Sequence, residues 1–217
     1  MKQISLVLLP AIVLLTGCGA QMRNMPVGAQ KYQISASVGG PLVDAFDRTV
    51  PIPYGIAGIT YGISNRTEVF ADYHVTASAF KFLGVTPGIV YFPDLKWGRV
   101  VPALGVDALV FSDFKAARIY PEFVTSAACP LSERWTPYLA FRHTFQTNKA
   151  PRYIPSAMTG TALRMGYLSY FVELQWLALN RDNRWNPVEY HGLSNRGALS
   201  VQLGATLDLP VRKGGRK

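Results

Sequence analysis

Charge is scarce in this chain. Asp, Glu, Lys and Arg make up 16% of its 217 residues, against about 25% in ordinary soluble domains. Hydrophobic residues reach 49% and the mean hydropathy is +0.12. A disordered, highly charged chain is therefore excluded, and an ordinary water-facing surface is hard to build. Cysteine is nearly absent. Cys18 and Cys129 are the two residues of that type, too few for a disulfide framework. No Cys/His group has zinc spacing, and no P-loop or dinucleotide glycine pattern occurs. Nothing in the sequence calls for a metal or a cofactor. After Cys18 no apolar run reaches the length of a membrane helix. Present instead are 19 Gly, 15 Pro and 12% aromatic residues, a composition of many short elements joined by turns. The formal net charge is +9.

The first residues read as an export signal. Lys2 is a short positive region, and Ile4 to Leu15 is apolar apart from Ser5 and Pro10. That run is too short to span a bilayer and fits the apolar core of a signal peptide. It ends in Leu15-Thr16-Gly17-Cys18, which resembles the lipobox of bacterial lipoproteins. The resemblance implies cleavage before Cys18, diacylglycerol on its sulfur and acylation of the new amino group. More than one acyl chain makes such an anchor stable. Gly19 is compatible with transfer to the outer membrane of a Gram-negative bacterium. Four parts are expected: a lipoprotein signal peptide (1–17), an acylated tether (18–30), a barrel domain (31–209) and a basic tail (210–217).

Beyond the tether, period-2 alternation recurs. Tyr32, Ile34, Ala36 and Val38 alternate with Gln33, Ser35 and Ser37. Leu199, Val201, Leu203, Ala205 and Leu207 alternate with Ser200, Gln202, Gly204 and Thr206. This pattern predicts strands at 31–39, 54–63, 67–77, 80–92, 98–111, 115–128, 134–146, 160–168, 169–180 and 198–209. Many exceed the length of a globular strand and match the 9–11 residues of a membrane-crossing one. Residues 160–180 read as a hairpin around Leu168-Ser169. The long connections, 40–53, 147–159 and 181–197, all follow odd-numbered strands, and the even-numbered ones are short. Outer-membrane barrels show the same sidedness. The expected fold is all-β: an up-and-down antiparallel β-barrel of about 8–10 strands.

The polar faces indicate what surrounds the barrel. No Lys falls in the middle of a predicted strand. Those faces carry Glu68, Asp72, Asp107, Glu122 and Glu173 with Arg118, Arg134, Arg142 and Arg164. A near-balanced set of acids and arginines among Gly, Ser and Ala suits a narrow lumen with a closed charge network. Across 30–209 the chain thus resembles small bacterial outer-membrane β-barrels. Its last strand ends at Leu207-Asp208-Leu209 rather than on an aromatic residue.

Chemistry is sparse. His74 lies beside Asp72 on a polar face and is read as a network member. His143 sits near a strand end, at an interfacial position. His191-Gly-Leu-Ser194-Asn195 faintly resembles the His-x-Ser-Asn element of lipid A deacylases, one residue longer, with Glu189 as a candidate orienting carboxylate. His191, Ser194 and His74 are thus the candidate catalytic residues. Cys129 is read as a free thiol. Arg212-Lys213-Gly-Gly-Arg216-Lys217 could meet anionic headgroups. The expected protein is a lipid-anchored outer-membrane barrel with a structural or lipid-binding role. Its partners are membrane lipids, lipopolysaccharide included, and the export signal argues against nucleic acid. Two rivals are a periplasmic lipocalin-like carrier with an apolar calyx and a lipid-modifying hydrolase.

Overall fold

The computed structural model describes residues 23–45, 48–95, 98–146, 152–182 and 190–210. The expected signal peptide, the lipobox-like segment with Cys18, Glu189 and the basic residues beyond Pro210 lie outside them. The strands are β1 (Tyr32–Ala45), β2 (Arg48–Pro51), β3 (Tyr54–Gly62), β4 (Thr67–His74), β5 (Leu83–Tyr91), β6 (Val101–Ser112), β7 (Ala117–Ala128), β8 (Trp135–Phe145), β9 (Tyr153–Met165), β10 (Leu168–Asp182) and β11 (Arg196–Leu209). A short helix, α1 (Val75–Ala79), follows β4. From β3 onward each strand pairs antiparallel with the next, and β1 pairs with both β3 and β11. Ten strands therefore close a barrel with up-and-down order. β2 stands apart as a hairpin arm on the far end of β1, from Leu42↔Pro51 to Ala45↔Arg48.

Several boundaries differ from the sequence-based expectation. β9 begins at Tyr153, so half of the expected 147–159 loop is strand. Its Pro155 sits opposite His143 inside the β8 ladder, where a proline usually argues against a strand. The β9–β10 turn falls at Gly166-Tyr167, two residues before the expected site, and Gly166 has φ +67. The 40–53 connection is largely the β1–β2 arm. Alternation continues through Val75, Ala77 and Ala79, but those residues coil into α1.

The wall is inverted relative to a soluble protein. Facing inward and buried are Ser37, Thr60, Glu68, Asp72, His74, Thr86, Asp107, Glu122, Arg142, Thr144, Ser156, Glu173, Gln175, Ser200 and Gln202. Facing outward, and about half-exposed, are Ile34, Val38, Ile59, Ile89, Leu104, Val106, Leu139, Leu163, Val172, Leu174 and Leu203. Glu173 is 0% exposed and Leu203 is 50% exposed. Outward aromatic residues gather toward the two ends. Tyr32, Tyr91, Trp135 and Tyr170 lie near the short turns and Tyr73, Phe145 and Tyr153 near the opposite end, while Phe123 and Phe141 lie mid-strand. His143 joins the second group, stacked between Phe123 and Tyr153 and bonded through Nδ1 to the Tyr153 hydroxyl at 2.6 Å.

Candidate functional site: the polar lumen

The interior is held by side chains that alternate inward on neighbouring strands. Asp107 on β6 lies opposite Glu122 on β7. Glu122 is 3.7 Å from the Nε of Arg142 on β8 and accepts a bond from the Thr144 hydroxyl. Glu173 on β10 accepts the Tyr138 hydroxyl at 2.9 Å and the Gln175 amide. Gln175 also donates to Gln202 at 2.9 Å, and Gln202 donates to Ser37 at 2.7 Å. This last bond crosses the seam where β11 meets β1. Hydrogen bonds of this kind offset the cost of burying polar groups.

His74 belongs to the same interior. Its Nδ1 is 2.6 Å from the Tyr54 hydroxyl and its Nε2 is 2.7 Å from the Thr86 hydroxyl. Both ring nitrogens are thereby occupied within the wall. Among the described residues, no group of three or more His, Cys, Asp or Glu side chains could hold a metal ion.

Three of the arginines placed in the lumen from the sequence are not buried there. Arg118, Arg134 and Arg164 keep the inward parity but lie at the barrel rims and are exposed. Arg164 pairs with Asp208 at 2.9 Å, and Gln33 donates to the same carboxylate at 2.7 Å. An Arg164–Glu173 pair is ruled out by register: Arg164 lies opposite Ser169, and Glu173 opposite Gly160. Periodicity assigns a residue to a face but not to a depth, and these three lie where the strands reach solvent.

A cation that the strand pattern does not contain enters from outside the wall. Arg23, from the expected tether, lies in the lumen with its side chain 7% exposed. Its two terminal nitrogens donate to Asp72 at 2.7 and 3.2 Å, and its Nε donates to Thr60 at 3.1 Å. Its guanidinium carbon stands 3.6 Å over the Phe70 ring. The Val27 N–H donates to Glu68, the Ala29 N–H to Asn65 and the Gln30 N–H to the Gly62 carbonyl. Residues 23–30 thus run along the interior to the short-turn end and feed β1. Glycines make the space. A Cβ on Gly58 would lie 2.1 Å from the Asp72 carboxylate, one on Gly88 2.4 Å from the Phe70 ring and one on Gly62 1.9 Å from the Gly28 carbonyl. The sequence held a signal for this. Arg23 is the sole charged residue between Cys18 and Lys31, and the mid-strand acids outnumber the mid-strand cations.

The His191 segment is placed differently. The His191 ring is 3.2 Å from the Thr49 hydroxyl, and its backbone joins Leu42 and Leu199. Ser194 and Asn195 have φ of +53° and +59° between the bridged residues Leu193 and Arg196. That is the geometry of a two-residue hairpin turn, with Ser194 exposed at its tip. At the β6–β7 turn the Asp113 carboxyl is held below the usual range by accepting the N–H groups of Ala116 and Lys115. Cys129 is a half-buried free thiol.

No protein-family model and no curated protein matches the chain. Among solved structures it is similar to a de novo designed transmembrane β-barrel, at 15% identity over 87% of this chain and 100% of that one, with a TM-score of 0.35. It is similar to the NanC porin at 8% identity over 82% and 100%, with a TM-score of 0.47. The translocator domain of autotransporter NalP from Neisseria meningitidis matches at 10% identity over 90% and 92%, with a TM-score of 0.33.

Proposed function

We propose that this chain is an integral outer-membrane β-barrel, lipid-anchored through Cys18, whose role is structural or the binding of a lipid or surface ligand. One observation carries the reading: the inverted wall. Water-exposed apolar patches on soluble monomers rarely exceed a few hundred Å². Here the outward faces of successive strands are apolar around the barrel, with Val106 56% exposed and Leu203 50% exposed. Each Å² of such surface costs about 25 cal/mol in water; hydrocarbon removes that cost. In hydrocarbon every backbone N–H and C=O must find a partner within the protein, which a closed barrel provides. Aromatic residues near both ends suit the two interfaces. A calyx carrier would need a continuous apolar lining, whereas Glu68, Asp72, Glu173 and Gln175 are buried inside beside apolar side chains such as Ile56, Phe70, Val90 and Met158. The lipobox adds the envelope and the anchor, with membrane lipid, lipopolysaccharide included, as the partner.

Leu203→Cys in a Cys129→Ser background tests the wall. The thiol should resist a water-soluble maleimide in intact membranes and react after unfolding. A fluorophore attached there should be quenched by spin-labelled lipid once the folded protein is reconstituted. Fluorescence untouched by the lipid label would move the chain to the periplasm. The anchor is tested separately: Cys18→Ala should abolish incorporation of radiolabelled palmitate, and continued labelling would place the acyl group elsewhere.

A further inference from the structure

The place where Arg23 sits is a built site. Its carboxylate, Asp72, is 1% exposed, and its hydroxyl, Thr60, is 2% exposed. Phe70 supplies a ring face, and the ring and the carboxylate occupy gaps left by Gly88 and Gly58. Bidentate carboxylate, hydroxyl and aromatic face together are the complement of a planar guanidinium. The wall presents this site whatever fills it, because Thr60, Phe70 and Asp72 all belong to β3 and β4.

Two further facts concern the balance of acids and arginines in the lumen. Five acids, Glu68, Asp72, Asp107, Glu122 and Glu173, are buried there among the described residues, against Arg23 and Arg142. Oε1 of Glu68 and Oδ1 of Asp107 are buried and accept no hydrogen bond. Glu68 is the residue whose other oxygen holds the Val27 N–H, so the unpartnered oxygen lies beside the path of residues 23–30. That segment pairs with the wall as a strand nowhere along its length. Its bonds include the Arg23 contacts, the Asn24 side chain with the Tyr138 hydroxyl, single N–H groups at Val27, Ala29 and Gln30, and the Gly28 carbonyl, which accepts the Lys31 N–H.

We infer that the Asp72–Phe70–Thr60 cradle is a binding site for small guanidinium-bearing solutes, filled at rest by the chain's own Arg23, which makes residues 23–30 a displaceable plug. A solute with the same group competes for the same three side chains. Loss of the Arg23 side chain both releases the plug and, among the described residues, leaves five buried acids beside one buried arginine. The site then accepts the solute more tightly. Recognition rests on the fork of the guanidinium, so a neutral isostere of equal shape is refused.

The test uses the full chain with Cys18→Ala, Cys129→Ser and Met25→Cys, refolded in detergent and carrying a nitroxide at position 25. Folding is verified by heat-modifiable gel mobility. The nitroxide should be immobilised in this parent, and arginine amide should raise its mobility to a saturating level while citrulline amide leaves it unchanged. With Arg23→Ala added, the nitroxide should be mobile from the start. Calorimetry should then show arginine amide binding at least about tenfold more tightly than in the parent. Arg23→Gln repeats the measurement with the stem retained, and Asp72→Asn should remove the binding. The inference is overturned if arginine amide leaves the parent label immobile, if citrulline amide acts equally, or if the folded Arg23 variants bind arginine amide no better than the parent.

Discussion

The middle and the rims of the lumen are built from the same inward-facing parity and behave as different materials. At mid-barrel, Arg142 and Glu122 have side chains 1% and 2% exposed. At the short-turn rim, Arg164 and Asp208 have side chains 59% and 26% exposed. Both are arginine–carboxylate pairs on inward-parity positions of the wall. The inner pair has lost its water and depends on its partners, whereas the outer pair can exchange each partner for solvent. Depth along the strand, more than face, decides what a charge in this barrel is worth.

Arg142→Ala sharpens that contrast most. It strands Glu122 and weakens the field that Asp107 and Glu173 share, and breaking a buried pair costs about 3–5 kcal/mol. Urea unfolding in detergent should show a loss of that size, together with a lowered heat-modification temperature. A loss below about 1 kcal/mol would make the middle equivalent to the rim. The outer face comes next. Leu203→Arg places a charge among Val201, Ala205 and the hydrocarbon, at about 2–4 kcal/mol near the midplane. Reconstituted in lipid, the variant should insert less completely than the parent, and equal insertion would deny that this face meets acyl chains. The smallest effect belongs to Arg164→Ala. An exposed pair is worth about 0–1 kcal/mol, so its unfolding midpoint should nearly match the parent's and the residual difference should vanish in high salt. A large loss would mean that the rim is sealed from water.

Alternation along the chain makes most of the barrel legible in the amino-acid sequence. Nine of the ten predicted runs fall on barrel strands, β1 running six residues past its expected end and the others shifting by three or fewer, because a wall with a polar inner face and an apolar outer face enforces period 2. The tenth, 160–168, catches only the later part of β9. Pro155 hides the first part of that strand, since a proline forfeits one ladder bond and reads as a break. The face of each charge is legible too: Glu68, Asp72, Asp107, Glu122, Arg142 and Glu173 are buried inside the wall. Depth is not, because it depends on tilt and register between strands, and neither is encoded in the spacing of Arg118, Arg134 or Arg164 along its own strand. The position of Arg23 is hidden for another reason. Its partners Thr60 and Asp72 are 37 and 49 residues away, and no periodic signal marks a segment that binds as a single side chain.

The seam between β1 and β11 has a consequence for how the chain becomes a protein. Tyr32 pairs with Leu209 and Pro41 with Ser200, so the two strands that close the wall are made first and last. Until they meet, each offers a row of unpaired amides, and in hydrocarbon each such group costs several kcal/mol. An open ribbon of nine strands would therefore have no stable place in a bilayer. The contacts that lock the joint, Gln33 to Asp208 and Gln202 to Ser37, span 175 and 165 residues. Pairings between such distant residues slow folding, because loop-closure entropy is lost before the contacts reward it. If the wall meets lipid as proposed, arrival of the final strand is the step that commits the barrel to the membrane, and a nascent chain halted before Arg196 would have nearly the whole apolar wall without the means to use it.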